Sequence, residues 1–303
     1  MTTLEKYKSI KTAYLVSLKT IKKSENTYIK YENVLNDFEK CLKDFFINEQ
    51  TLEITPQMIL KYSEMSKNRG ISNNTLRNYL TILKTFFTWC NEHKFYSEQP
   101  IIKQDMPKKD RIEYDLLTQD EINLILSGEI PKYTKHPNRN RAIVFLLLLT
   151  GLRVSELINL RYEDIDLRNE SITIVGKGDK KRTTSLPKLA VRMLNLHINQ
   201  GFINKNKSDF VFCNDEGQPF TRFNISNIIE RYVEKLTGHE HIKAHDLRHA
   251  FASMLITNNV SIPTISATLG HSNWETTAIY ASHLCPQKQV NEVNNIFNNL
   301  FAI

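Results

Sequence analysis

His245-Asp246-Leu247-Arg248-His249, then Leu269-Gly270-His271, then Tyr280, is the stretch from which the rest of this chain is read. Upstream of it stands Thr150-Gly151-Leu152-Arg153-Val154-Ser155-Glu156-Leu157. Arginine and histidine bind phosphate oxygens through charged hydrogen bonds, and arginine can present two donors at once. A tyrosine hydroxyl beside them can attack phosphorus and form a covalent intermediate. Together these residue types imply chemistry on a phosphodiester, with breakage and rejoining of a DNA strand as its natural form.

Each piece is weaker alone. His245 and Arg248 lie three apart, so a helix projects both from one face, with Asp246 and His249 directed elsewhere. Leu247, Ala250 and Phe251 make that helix partly buried, which places the His245/Arg248 face at a boundary between core and groove. Arg153 and Glu156 are also three apart. As a plain intrahelical pair they are worth about 0.2–0.5 kcal/mol; as a site, Arg153 emerges from a packed support as a rigid phosphate clamp and Glu156 orients it. Lys177 sits in the glycine-flanked turn Gly176-Lys177-Gly178, either a solvated lysine or a mobile general acid. Lys180, Lys181 and Arg182 share that loop, so chemistry alone leaves the choice of base open. His271 follows Gly270 in a turn feeding a helix, where N–H groups and an imidazole can face one anion. Tyr280 is a candidate nucleophile through its place downstream of that histidine.

The totals fit this direction without proving it. At 303 residues the chain exceeds what one typical core supports, so two domains are expected. A net charge of +7 suggests a polyanionic partner. Residues 1–110 hold 18 Lys+Arg against 13 Asp+Glu, so the excess sits mostly in the first third. Cys41, Cys90, Cys213 and Cys285 form no CxxC pair, which signals neither a disulfide framework nor zinc and suits a reducing compartment. The N-terminus MTTLEKYKSIK lacks the apolar core of a secretion signal, and the apolar run 142–152 is too short to cross a bilayer. A cytoplasmic protein is expected.

Tyr28, Tyr31, Leu35, Phe38, Leu42 and Phe45 recur in steps of three and four, one apolar stripe on a helix. Thr55-Pro56 opens a second helix, Gly70 ends it, and a third carries Leu76 through Cys90. These predict a small helical domain over about residues 20–100, with Lys61, Lys67, Arg69, Arg77 and Lys84 as candidate DNA contacts. Pro100–Tyr114 reads as a charged interdomain linker whose Lys108 and Lys109 could also lie along DNA. Thr118-Gln119-Asp120-Glu121 is a capping-box pattern opening a second domain. A long helix across Arg141–Leu149 follows, then a β-hairpin from Ile172 and Ile174 through the Gly176 turn to Arg182–Leu186, then mostly helix. The fold class expected is mainly α (α+β). The domains would be residues 1–102, a linker at 103–114 and a second domain at 115–303. The residues Val290, Val293, Ile296, Phe297, Leu300 and Phe301 give the tail an apolar face, expected to dock on a neighbouring subunit.

Taken in order, the arginine turn, the hairpin lysine, His-x-x-Arg, Gly-His and Tyr resemble the tyrosine recombinase (phage integrase) family, in its compact two-domain form similar to the Xer recombinases. The matching stretches are LLLTGLRVSELINL, ITIVGKGDKKRTTSLP, HDLRHAFAS and LGHSNWETTAIYASH, with SNNTLRNYLTILKTFFTWC as a weaker match in the helical core-binding domain. Ser97-Glu98-Gln99-Pro100 departs from the family's Asn-Pro at the end of that domain. The resemblance implies that Arg153, Lys177, His245, Arg248 and His271 activate the phosphate, that Glu156 takes the family's acidic position, and that Tyr280 is the nucleophile. It implies a 3′-phosphotyrosyl intermediate without cofactor or metal. It implies double-stranded DNA with inverted-repeat-type sites as partner, a tetramer acting through a Holliday junction, and accessory DNA-binding proteins. The short segment ahead of the Tyr28 helix argues against a separate arm-binding domain. Rival readings are a type IB topoisomerase with the same chemistry, a catalytically silent DNA-binding accessory protein, and a helical enzyme acting on a small phosphorylated metabolite.

Overall fold

In a computed structural model of the chain, residues 2–47, 51–110, 116–127, 129, 135–176, 181–199 and 208–270 are described. Lys177, His271, Tyr280 and the apolar tail 286–303 lie outside them. The chain divides into two compact units, Met1–Glu113 and Tyr114–Ile303.

The first unit is built from α1 (Thr3–Thr20), α2 (Glu25–Phe45), α3 (Pro56–Asn68) and α4 (Asn73–Glu92). Helix α1 corrects the expectation that the helical domain starts near residue 20. Thr2 caps it, accepting from the Glu5 N–H, while the Glu5 carboxylate accepts from the Thr2 N–H at 2.7 Å. Its Tyr7, Ile10, Tyr14 and Leu18 are all buried, the same three-and-four spacing read in the next helix. Tyr7 is central: its ring meets Phe38 and Phe86 edge-on at 5.4 and 5.6 Å, and its hydroxyl donates to the Leu35 carbonyl at 3.0 Å. Thr55 precedes α3 as expected, yet its side chain makes no capping bond; Pro56 at the first position presets the backbone instead. The residues expected as linker begin on this unit. Asp110 accepts from the Asn73 side chain at 2.8 Å, and the Pro107 carbonyl accepts from Arg77 at 2.8 Å.

The second unit opens with α5 (Gln119–Leu126), whose Thr118/Glu121 capping box is formed as the sequence predicts. Helix α6 (Pro137–Thr150) has no polar face over residues 142–148 and is the central strut, packed by α8 (Lys188–Asn199), α9 (Arg222–Thr237) and α10 (Ala244–Thr257). The short helix α7 (Val154–Ile158) follows it directly, and α11 (Ile262–Leu269) packs on α10. Strands β1 (Ile165–Asp166), β2 (Ser171–Val175) and β3 (Lys181–Ser185) form an antiparallel sheet in the order β1-β2-β3. The hairpin is the one expected, and β1 is an addition to it. Ile172 and Ile174 turn inward, opposite Thr184 and Arg182. The chain is mainly helical with one small antiparallel sheet. Among the described residues no helix is long and apolar enough to cross a membrane.

Candidate functional site

The site starts where α6 stops. Gly151 caps that helix in the left-handed conformation (φ +62), its N–H bonding the Leu147 carbonyl at 3.1 Å. Glycine is required there twice over. A Cβ would sit 2.5 Å from Phe251 Cδ1 and 2.7 Å from Leu269 Cδ2, and a side chain at that φ is strained in any case. The turn delivers Arg153 as the residue that begins α7.

Glu156, one turn on, is 8% exposed and accepts four hydrogen bonds. Arg153 gives two of them, from its backbone N–H at 2.8 Å and its Nη1 at 2.9 Å. Arg182 on β3 gives the other two, Nη1 and Nη2 at 2.8 and 2.9 Å, in a fork-to-fork pairing. Burial pushes the Glu156 carboxyl upward, but the Arg182 bonds, the Arg153 N–H, the Arg182 charge and the Arg153 side-chain bond outweigh it and hold the pKa below the usual carboxylate range. Glu156 is therefore ionised at neutral pH and orients cations; it carries no proton to donate. Two arginines around one carboxylate leave the cluster net positive, as an anion site needs.

Arg153 reaches further: its Nη2 donates to the Gly270 carbonyl at 3.1 Å, while its side chain stays 39% exposed. Arg248 lies behind, 1% exposed, donating through Nη1 to the Gly151 carbonyl and through Nη2 to the Leu269 carbonyl at 2.7 Å. This corrects its expected place at a boundary between core and groove; it is inside the core. Both arginines thus grip the last residues before His271. Gly270 ends α11 at φ +64, and a Cβ on it would lie 3.0 Å from the Arg182 guanidinium.

His245 stands at the start of α10, its side chain open to solvent on one side and packed on the other. Its ring meets that of buried His249 edge-on, centroids 4.3 Å apart. His249 was expected to point elsewhere, but residues four apart share a helix face, and the spacing alone carried that signal. Asp246 does turn away, accepting from the Lys243 N–H at 2.8 Å to cap α10. Partial burial and then the charges of Arg248 and Arg153 lower the His245 pKa, with Asp246 opposing, so the imidazole is neutral at pH 7.

Lys177 falls between the end of β2 and the start of β3, outside the described residues, as His271 and Tyr280 do. Arg182, one of the hairpin bases left open by the sequence, leaves that set: it is bound to Glu156. Inward alternation along the hairpin would have found it, since it stands opposite Ile174. In the first unit the candidate DNA contacts divide. Arg69 binds Asp37 at 2.7 and 2.8 Å, and those bonds, opposed by burial and joined by the Tyr62 hydroxyl, lower the Asp37 pKa. Lys61 pairs with Glu64 at 3.0 Å and lies over the Phe45 ring. Arg77 is engaged with Pro107. Lys67, Lys108 and Lys109 are exposed, and Lys84 is half-buried.

Residues 115–285 match the phage integrase family, and residues 12–93 match the N-terminal SAM-like domain of phage integrases. The sequence is 32% identical over 261 residues to tyrosine recombinase XerD of Oceanobacillus iheyensis, spanning 85% of this chain and 87% of that protein. It is 28% identical over 266 residues to tyrosine recombinase XerC of Bacillus licheniformis, spanning 85% and 86%. The fold is similar to that of the XerH site-specific recombinase bound to a palindromic difH substrate in a post-cleavage complex, with a TM-score of 0.70, 23% identity and coverage of 90% and 80%.

Proposed function

The chain belongs to the phage integrase family, a site-specific tyrosine recombinase that cuts and rejoins DNA, and on that footing we propose that Tyr280 is its nucleophile. The Tyr280 oxygen bonds to the scissile phosphorus as the bond to the 5′ oxygen breaks, leaving a 3′-phosphotyrosyl link. The leaving oxygen takes a proton from Lys177 and departs as a hydroxyl, while the tyrosine proton passes to a base, with neutral His245 assisting the transfer. Arg153 and His271 bear on the phosphoryl oxygens, and Arg248 adds its charge from the core side. The phosphate ester energy is kept in the link, so a partner strand's 5′-hydroxyl reverses the step without ATP.

One observation carries this reading. Arg153 and Arg248, from two different helices, both bond the backbone of residues 269 and 270, directly before His271. That is how a phosphate site is held rigid by its own support. We further assign Lys67, Lys84, Lys108 and Lys109 as backbone-phosphate contacts, Arg69 and Arg77 being committed to internal partners. The exchange would run on inverted-repeat-type sites, through a Holliday junction in a tetramer, with accessory DNA-binding proteins where the system uses them. Its tasks would be chromosome or plasmid dimer resolution, or movement of a mobile element.

The test maps the protected site in the DNA around the gene, then offers a supercoiled plasmid carrying two copies. Deletion or inversion between the copies, with no relaxation of a plasmid lacking them, is expected. Relaxation of any plasmid would make the chain a type IB topoisomerase in behaviour, and binding without breakage would make it an accessory protein.

A further inference from the structure

Arg182 is not among the residues given a chemical task above, yet its guanidinium holds both oxygens of the Glu156 carboxylate. The Glu156 carboxylate has two cationic neighbours competing for it. With Arg182 holding both oxygens from one side, Arg153 needs to give only one guanidinium N–H to Glu156. Its Nη2 is thereby left for the Gly270 carbonyl, and its outer edge stays open. Remove Arg182 and the full carboxylate charge bears on Arg153 alone. In a site this buried, a lone ion pair closes to the two-point geometry that arginine and carboxylate prefer. Arg153 would then leave Gly270 and fold onto Glu156. Arg182 also lies where a Cβ on Gly270 would reach, so it fills the space beside the turn that precedes His271.

We propose that Arg182 is a positioning residue for strand cleavage: by occupying Glu156 it keeps Arg153 on the Gly270 carbonyl and open to the scissile phosphate. This rests on the reading of Arg153 as a phosphate clamp. It makes β3 part of the site's electrostatics as well as the support of the hairpin that carries Lys177.

The experiment measures the rate of covalent adduct formation on a nicked duplex bearing the mapped site, at saturating DNA, for the full-length protein. The variants are Arg182→Met, Glu156→Gln and the two combined, with DNA affinity followed by band shift and folding by thermal melting. Arg182→Met is expected to slow the adduct on the order of tenfold to a hundredfold while leaving affinity within about twofold. The combined variant is expected to be several-fold faster than Arg182→Met, because neutralising Glu156 frees Arg153 again. A residue that merely staples the fold gives the opposite, two losses that add. A wild-type rate in Arg182→Met, or a combined variant as slow as the single one or slower, overturns the proposal. Should Arg182→Met fail to fold, Arg182→Gln, which keeps a polar side chain but no charge beside the carboxylate, carries the same comparison, with and without Glu156→Gln, to the same outcomes. Absence of adduct from the wild-type protein would instead sink the functional reading itself.

Discussion

Gly151→Ala separates the two physical demands made on the turn at the end of α6. The left-handed conformation costs an L residue about 1–2 kcal/mol. The added Cβ would also sit 2.5 Å from Phe251 and 2.7 Å from Leu269, and these are buried side chains of α10 and α11 that cannot swing into solvent. Overpacking of that kind costs about 1–3 kcal/mol more, so the sum is about 2–5 kcal/mol. In a unit spanning Tyr114–Ile303, each kcal/mol moves the melting temperature about 2–4 °C, giving a drop of about 4–20 °C. Gly238 supplies the control. It caps α9 at φ +75 with nothing within 4 Å of a Cβ, so Gly238→Ala bears the backbone strain alone, about 1–2 kcal/mol. Calorimetry of both variants should place Gly151→Ala clearly below Gly238→Ala. Its adduct rate should fall as well, since the Gly151 carbonyl holds Arg248. Equal melting temperatures would refute the packing argument.

Three further outcomes are expected. The depressed Glu156 pKa contributes stability that is complete above its unfolded value of about 4.3 and is lost as pH falls through the lower folded value. Urea unfolding against pH should therefore show Glu156→Gln losing least, relative to wild type, at the acid end. Asp37→Ala strands Arg69 and the Tyr62 hydroxyl, and should destabilise the N-terminal unit by about 1–3 kcal/mol in chemical denaturation with the catalytic residues untouched. Deleting the chain after Cys285 should abolish tetrameric synapsis in native gels while DNA binding remains measurable, because the apolar residues spaced from Val290 to Phe301 go with it.

The helices were legible wherever periodicity was continuous. The Tyr28–Phe45 stripe, the Thr118 capping box and the unbroken apolar run of α6 each name their element, although the stripe buries fully only at Leu35, Phe38 and Leu42 and leaves Phe45 exposed. Helix α1 carried the same signals in Thr2, Glu5, Tyr7, Ile10 and Tyr14, and went unread because its lysines dilute the stripe. Strand β1 has only two residues and exists through its pairing with β2, so no local pattern could announce it. The site divides in the same way. Residue types and order gave Arg153, Glu156, His245 and Arg248 as candidates. The depth of Arg248 and the task of Arg182 depend on α6, α10, α11 and β3 meeting, and that is decided by packing between segments far apart in sequence.

The central claim is that Tyr280 attacks the phosphate, and Tyr280→Phe tests it most directly. The change removes one oxygen and leaves the ring, so folding and DNA affinity should be those of the wild type. Both proteins are given a nicked duplex carrying the mapped site, from which the cleaved end diffuses away and traps the covalent complex. Wild type should yield a protein–DNA adduct that survives denaturant, without added metal or ATP. Tyr280→Phe should bind equally and yield none. An adduct from that variant would show that another residue is the nucleophile and would contradict the mechanism.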